Sequence, residues 1–249
     1  MNTNKLFKYV IVLFFIICLV FMLPSSFVYG DTMDLKKINT NSNGEKFGSL
    51  YFSEENLDLI AAVATNGKLG YVKKEDIEVP IPSNPLEASK LLIEEKKIPV
   101  YKSDGITIIG EFVINKDVSI ETSVEPEIVP LWAESGYKNF TVAGKSYYNY
   151  SVVTIYKNSN TVQGRAHVNH VGGSLPAGWL GAGAVIYNVS GYMVKLGTTA
   201  YTSSSASSIG NYIDHSASSG TFYAHGWSHV WNGSKYIETP TLVSPRQNF

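Results

Sequence analysis

Four side chains near the end of the chain have the types and the spacing to bind a ligand. Between Tyr223 and Trp231, the residues His225, Trp227, His229 and Trp231 occupy every second position. Successive side chains of a β-strand point to opposite faces of its sheet, so a strand here places two imidazoles and two indoles on one face. Imidazoles bind metals or move protons, and indoles stack on sugar rings or on apolar surfaces. These four residues are therefore the candidate ligand-binding surface.

The spacing of the histidines does not favour a metal site. On a strand, His225 and His229 would lie roughly 13 Å apart, too far to share one ion. His167 and His170 would point to opposite faces. A zinc ion held by histidines of neighbouring strands, with Asp214, is the alternative. We predict no metal, and no other cofactor either, because the sequence contains no phosphate-binding, nucleotide-binding or calcium-binding motif.

Residues for acid–base and nucleophilic catalysis are present, but they form no recognisable motif. No serine lies in a Gly-x-Ser-x-Gly motif, and the consecutive Asp214, His215 and Ser216 cannot form a triad from one segment. The second half of the chain has few carboxylates, among them Glu134 and Glu238, whereas a glycosidase needs two that face each other across the substrate. We therefore predict no catalytic residues. A hydrolase site assembled across strands is an alternative, and it requires an ionisable partner for one of the histidines or for Asp214.

The first 30 residues have the layout of a secretory signal. Lys5 and Lys8 precede an unbroken apolar run from Tyr9 to Leu23, and small or permissive residues follow at Val28-Tyr29-Gly30. The run is shorter than the ~20 residues that span a bilayer, and an uncleaved membrane anchor is the alternative. Cys18 is the single cysteine, so the mature chain has no disulfide and depends on its core. We expect the protein to be secreted or held at the outer face of the cell membrane or cell wall.

Charge and composition divide the mature chain into two parts. Acidic residues outnumber basic ones from Asp31 to Pro130, basic residues outnumber acidic ones thereafter, and all five histidines and all four tryptophans lie in the second part. Such asymmetry indicates two modules. The positive balance of the second part is too weak for a nucleic-acid binder. The predicted segments are a signal peptide (1–30), a flexible tether (31–45), a small α/β module (46–115), an acidic Pro-containing linker (116–131) and an antiparallel β-sandwich domain (132–249).

Turn and capping signals place the elements of the first module. Asn66-Gly67 lies between two apolar runs, which predicts a hairpin with a type I′ turn. Asn84, followed by Pro85 and Glu87, predicts the start of a helix that runs to about Lys97.

The second module reads as β-structure throughout. Short apolar runs separated by turn residues predict an antiparallel sandwich, or a barrel. The strand Tyr147–Tyr156 would carry Tyr148, Tyr150 and Tyr156 on one face, and the Ser-rich stretch 202–220 reads as a loop. Aromatic residues on an exposed face can stack on sugar rings or on a partner, although they also favour strands and cores.

Two segments of the first module resemble uncharacterised secreted proteins of Gram-positive bacteria. Thr65–Ile77 contains a Gly-Tyr-Val-x-Lys-x-Asp pattern, and Ile98–Phe112 contains an x-Pro-Val-Tyr-x-x-Asp-Gly-x-x-x-Ile-Gly pattern. In that group the two patterns precede a Tyr-rich β region. The resemblance covers about residues 58–114 and implies no known activity. The first segment is also similar to the last strands of bacterial SH3-like domains, which bind cell-wall peptides.

Together these features predict a secreted or cell-surface-associated, non-enzymatic protein that binds a cell-wall glycan or another protein. We expect no nucleic-acid partner, and membrane contact only through an uncleaved N-terminal segment. The first alternative is a toxin or bacteriocin-like protein whose aromatic sheet meets a target membrane, and a secreted hydrolase is less favoured. If Trp227 and Trp231 face the core, which we expect, their strand is scaffold. If they face solvent, it is the binding surface.

Overall fold

The computed structural model describes residues 35–53, 56–92, 95–115 and 131–249. The predicted signal peptide lies outside these ranges, and so does the predicted linker apart from Leu131. The described residues are mostly β-strand, which confirms the predicted mainly β fold. No helix among them is long and apolar enough to cross a membrane.

The described chain before residue 116 forms six strands and two one-turn helices. They are β1 (Asn39–Thr40), β2 (Lys46–Gly48), β3 (Leu59–Val63), β4 (Leu69–Lys73), α1 (Lys74–Ile77), α2 (Pro85–Ala88), β5 (Lys96–Tyr101) and β6 (Ile108–Asn115). From residue 131 the chain continues with β7 (Leu131–Glu134), β8 (Lys138–Val142), β9 (Lys145–Tyr156), β10 (Thr161–His170), β11 (Leu180–Asn188), β12 (Met193–Gly197), β13 (Ala200–Tyr201), β14 (Ser208–Ser216), β15 (Thr221–Trp231), β16 (Tyr236–Pro240) and β17 (Gln247–Asn248).

Four strands of the first part form most of a small barrel, and a strand of the second part closes it. Strands β3 to β6 pair antiparallel in chain order. Strand β12 then pairs in parallel with both ends of this series, Met193 with Ala62 of β3 and Leu196 with Ile114 of β6. The closed ring of five strands encloses a buried apolar core, which includes Ile60, Val72, Val100, Phe112, Ile114 and Met193.

The second part is a sandwich of two layers, as predicted. One layer, the five-stranded sheet, has the order β14-β10-β9, with β7 and β8 both pairing with the far edge of β9. The facing layer is centred on β11 and β15. The core between the layers includes Phe222 and a set of small and branched apolar side chains: Val153, Ile155, Val162, Ala166, Ala184, Ile186, Ile213 and Ala224.

Strand β15 is covered on both faces because it lies between the sandwich core and the barrel. Phe222 and Ala224 belong to the sandwich core, whereas Tyr223 belongs to the barrel core. Its neighbour β11 is buried in the same two-sided way. The five-stranded sheet, in contrast, has one buried face and one face on which the side chains are mostly partly exposed.

The two predicted modules share one sheet. Strand pairing runs from β1 through the barrel strands to β12, β11, β15 and β16. Residues Leu35–Phe249 form one compact unit. The boundary at 116–131 remains a prediction, because nearly all of it lies outside the described residues. The described strands on its two sides are nevertheless joined, because β12 completes the barrel.

The hairpin at Asn66-Gly67 forms with a different turn from the predicted one. Gly67 has a φ of 80°, but Asn66 does not have a positive φ. A type I′ turn needs both, so this turn is excluded. The Gly67 N–H instead donates to the carbonyl of Ala64 at 2.8 Å. This is a type I turn followed by a left-handed glycine, the usual three-residue hairpin connection.

The predicted helix to Lys97 is wrong in length. Its start is correct, because the Asn84 side chain accepts a hydrogen bond from the Glu87 N–H at 3.0 Å. The helix ends at Ala88, however, and β5 begins at Lys96. Ala88 is buried, but the larger apolar side chains of this segment are exposed, with Leu86 65% and Leu92 80% accessible. Because these side chains do not pack on the core, a short helix gains little stability from its own hydrogen bonds.

The predicted loop at 202–220 is also wrong in its centre, where Ser208–Ser216 forms β14. The strand pairs along its length with β10, and Ile213 inserts into the sandwich core. The buried Asn211 amide donates to the carbonyls of Ala182 and Thr198 in the opposite layer. Tertiary pairing therefore overrides the turn-forming composition of the serine-rich flanks.

Candidate functional site

The four candidates predicted from sequence lie on one face of β15, as strand alternation requires. This face is opposite the sandwich core. Trp227 nevertheless faces a core, as expected, because it packs against the barrel core, and its Nε1–H donates to Thr199 Oγ1 at 2.8 Å. Trp231 packs edge-on against Tyr236, with ring centroids 5.1 Å apart. Both indoles are only partly exposed.

His229 is the central member of a line of three hydrogen-bonded side chains. The Tyr201 hydroxyl lies 2.6 Å from His229 Nδ1, and His229 Nε2 lies 2.9 Å from Glu238 Oε2. With the proton on Nε2, the imidazole donates to the carboxylate and accepts from the tyrosine. His229 is only 3% exposed. Both ring nitrogens are thus engaged within the protein, so His229 offers neither of them to a ligand.

His225 is also committed to an internal contact. Its Nε2 lies 2.9 Å from the carbonyl oxygen of Thr241. Burial lowers the pKa of His225, and the hydrogen bond to Thr241 opposes that shift. The imidazole is therefore neutral at pH 7 and helps to attach the C-terminal segment to β15.

The line through His229 has the components of an acid–base relay, which bears on the hydrolase alternative. The partner that this alternative requires is present, because Glu238 contacts His229. The hydroxyl in the line, however, belongs to Tyr201, and burial raises its pKa well above the usual range, with Tyr236 and Glu238 adding to the shift. A phenol held protonated in this way is a weak nucleophile.

The other predicted arrangements, a histidine paired with Asp214 and a metal held by histidines of neighbouring strands, are not formed among the described residues. Asp214 accepts a hydrogen bond from Gln163 Nε2 at 3.0 Å, and not from a histidine. Across the described ranges, no group of three or more His, Cys, Asp or Glu side chains could hold a metal ion.

A second cluster, which we call the aromatic platform, lies on the outer face of the five-stranded sheet. It consists of Tyr137, Tyr148, Tyr150, His167 and Tyr212. Tyr137 contacts Tyr148 and Tyr150 at centroid distances of 5.1 and 5.3 Å. His167 stacks on Tyr150 at 4.8 Å and meets Tyr212 edge-on at 5.6 Å. The five rings thus form one continuous surface across three strands and a loop.

Strand alternation and register position these rings. Tyr148 and Tyr150 are two residues apart on β9, so they share the outer face. His167 of β10 is paired directly with Tyr150 and, on its other side, with Gly210 of β14. The imidazole covers Gly210, where a Cβ would overlap the ring. The absence of a side chain at Gly210 therefore leaves room for the imidazole.

Burial keeps the inner rings of the platform uncharged. It lowers the pKa of His167 to about 4, and the charge of Arg165 contributes. It also raises the pKa of Tyr150 to about 12, with a smaller contribution from Glu134. Tyr137, at the exposed edge, hydrogen-bonds to Glu134, which raises its pKa as well. His167, Tyr150 and Tyr137 are therefore uncharged at pH 7.

Arg165 is the cation of this face. It lies two residues before His167 on β10, and its guanidinium carbon is 5.4 Å from the Tyr212 ring centroid. Its Nη2 donates to Thr154 Oγ1 at 3.3 Å. Its buried Nε has no hydrogen-bond partner among the described residues. A charged side chain is therefore held beside the platform with incomplete hydrogen bonding.

A cleft beside α1 is a less suitable site. Its volume is about 280 Å³, and its lining contains both acidic and basic side chains. Lys74 pairs with Glu78 at 3.5 Å, and Lys73 approaches Glu75 at 4.0 Å. The two lysines of this cleft are thus paired with its own carboxylates, which leaves their charges less available to a ligand.

Sequence reasoning identified one strand of the platform but not the platform itself. The alternation of Tyr148 and Tyr150 is visible in the sequence. The contribution of Tyr212 is not, because the serine-rich stretch around it predicts a loop. The isolated pair Tyr212-Ile213 was the available signal, since a large aromatic next to a branched apolar residue favours a strand.

No protein-family model, curated protein or solved structure matches this chain. The resemblance to secreted proteins of Gram-positive bacteria accordingly stays a prediction. The chemistry of the described residues is the basis for a functional assignment.

Proposed function

We propose that this is a secreted or cell-surface-associated binding protein without catalytic activity, and that its aromatic platform binds a glycan of the cell wall. The observation that carries the proposal is the continuous surface of five rings on the outer face of the five-stranded sheet. Such rings present flat apolar faces on which sugar rings stack. Glu134 and Arg165 on the same face supply polar groups for hydroxyls.

The platform replaces the face of β15 as the favoured binding surface. On β15 both histidines are engaged internally, and the indoles are partly covered by Thr199 and Tyr236. On the platform, Tyr137 is 58% exposed and the other rings are partly exposed. An external ligand therefore reaches more aromatic surface on the five-stranded sheet.

Co-sedimentation with insoluble peptidoglycan tests the proposal. Tyr150→Ala should weaken retention by roughly tenfold, because it removes the ring that joins both halves of the platform. Tyr156→Ala is the matched control, since Tyr156 lies on the same face of β9 but outside the platform. Recovery of the unmodified protein only in the unbound fraction would overturn the wall-binding proposal. Equal losses in the two variants would show that binding does not involve the platform.

A second candidate function, a toxin-like membrane-active protein, is favoured by the exposed apolar residues around α2. Ile81 is 52% exposed, and Leu86 and Leu92 are exposed to a greater extent. Apolar groups of this kind can enter a lipid surface. The test is dye leakage from liposomes, in which Leu86→Ser with Leu92→Ser should reduce the effect. No leakage at micromolar protein would count heavily against this function.

A further inference from the structure

We propose that the ligand of the aromatic platform is an acidic glycan, whose sugar carboxylate binds Arg165 while its rings pack against the accessible parts of Tyr150 and His167. This inference rests on the proposed function and specifies the class of sugar. It follows from the charge and the hydrogen bonding of the face, which are independent of the ring geometry.

The first observation is that Arg165 lacks a counter-charge. Among the described residues, no carboxylate lies within 4 Å of its guanidinium. The hydrogen bond that it donates to Thr154 is long, and the acceptor is neutral. Its Nε is removed from water without any replacement partner. Leaving a buried donor unpaired costs free energy. Among the described residues, the terminal nitrogens of the guanidinium donate only the one bond to Thr154, so they keep N–H groups for an external acceptor.

The second observation concerns the carboxylates of the same face. Glu134 is engaged by the Tyr137 hydroxyl, and Asp214 is engaged by Gln163. Neither forms an ion pair with Arg165, so the charge of Arg165 remains available to an anionic group of a ligand.

The chemistry of the guanidinium fits a carboxylate. Its planar fork can donate two parallel hydrogen bonds to the two carboxylate oxygens. Partial burial against Tyr212 lowers the local dielectric and strengthens these bonds. Arg165 and His167 are two residues apart on one strand face, about 7 Å. One acidic sugar and its neighbour in a chain can therefore contact both.

The test uses two probes that differ in one group. They are a tetrasaccharide of alternating glucuronic acid and N-acetylglucosamine, and the same tetrasaccharide with its carboxylates reduced to alcohols. Isothermal titration with the purified protein should give binding about tenfold tighter for the acid form. Arg165→Gln should reduce the ratio of the two affinities to about one. Arg165→Lys should retain part of it.

Lys157→Gln is the matched control, because it removes one positive charge at the far end of β9 and should not change the ratio. Thermal unfolding of each variant checks that it is folded. If a variant does not fold, the comparison of the two probes on the unmodified protein still tests the inference. Equal binding of both probes, with both weakened by Tyr150→Ala, would overturn the inference and leave the proposed function in place. If neither probe binds, the inference is overturned, and peptidoglycan co-sedimentation decides the proposed function separately.

Discussion

Tyr150 and His167 lie ring on ring, directly opposite each other on β9 and β10, with centroids 4.8 Å apart and planes inclined by 3°. The stack depends on an uncharged imidazole, since a protonated one would carry its charge out of water and beside Arg165. Burial and this neighbouring charge both act to keep the proton off. The aromatic surface and the protonation state of His167 are therefore linked.

Acid should destabilise the fold through His167. An imidazole in the unfolded chain titrates near 6.5, whereas the pKa of His167 in the folded protein is about 4. Between these values the unfolded state binds more protons, so the free energy of unfolding falls as pH decreases from about 6.5 to about 4. The contribution is at most about 3 kcal/mol. Urea unfolding at a series of pH values measures it.

His167→Phe separates this effect from other acid-induced changes. The variant keeps a ring on Tyr150 but cannot titrate, so its unfolding free energy should fall less steeply over the same pH range. Some slope should remain, because burial also lowers the pKa values of His215 and His225. A slope identical to that of the unmodified protein would contradict the assignment to His167.

Gly183→Ala should destabilise the protein because Trp227 occupies the space above this glycine. A Cβ there would overlap the indole. Overpacking of this kind costs about 1–3 kcal/mol. Trp227→Ala removes the obstacle, so Gly183→Ala should cost much less in that background. Urea unfolding of the four proteins gives the coupling, and equal costs in both backgrounds would contradict the contact.

Met193→Ala should destabilise both parts of the chain together. Met193 is 1% exposed in the barrel core, and its strand joins the barrel to the sandwich. Its truncation should cost about 2–5 kcal/mol. Tryptophan fluorescence reports on the second part, and amide exchange of β3 and β4 reports on the first. Both should shift to the same lower midpoint, whereas Val189→Ala at an exposed turn should shift neither. Two separate transitions would contradict a shared unit.

The two-residue period of a strand predicted which side chains share a face, because that period is a local property of the backbone. It placed His225 with His229, and Tyr148 with Tyr150, correctly. It could not predict which face is covered, because coverage comes from residues distant in the chain. His229 is covered by Tyr201 of another strand, and β12 reaches the barrel across more than one hundred residues from its partner Ala62.

In the line from Tyr201 through His229 to Glu238, the contact with Tyr201 should contribute more to the free energy of unfolding than the contact with Glu238. His229→Phe leaves the Tyr201 hydroxyl without its acceptor in a partly buried position, which should cost about 1–3 kcal/mol. Glu238 is largely exposed, so Glu238→Ala should cost less than about 1 kcal/mol. Tyr201→Phe in the His229→Phe background removes the unpaired hydroxyl and should recover part of the loss. Urea unfolding at pH 7 compares the variants. A larger loss from Glu238→Ala than from His229→Phe would mean that the carboxylate, and not the buried hydroxyl, dominates this contact.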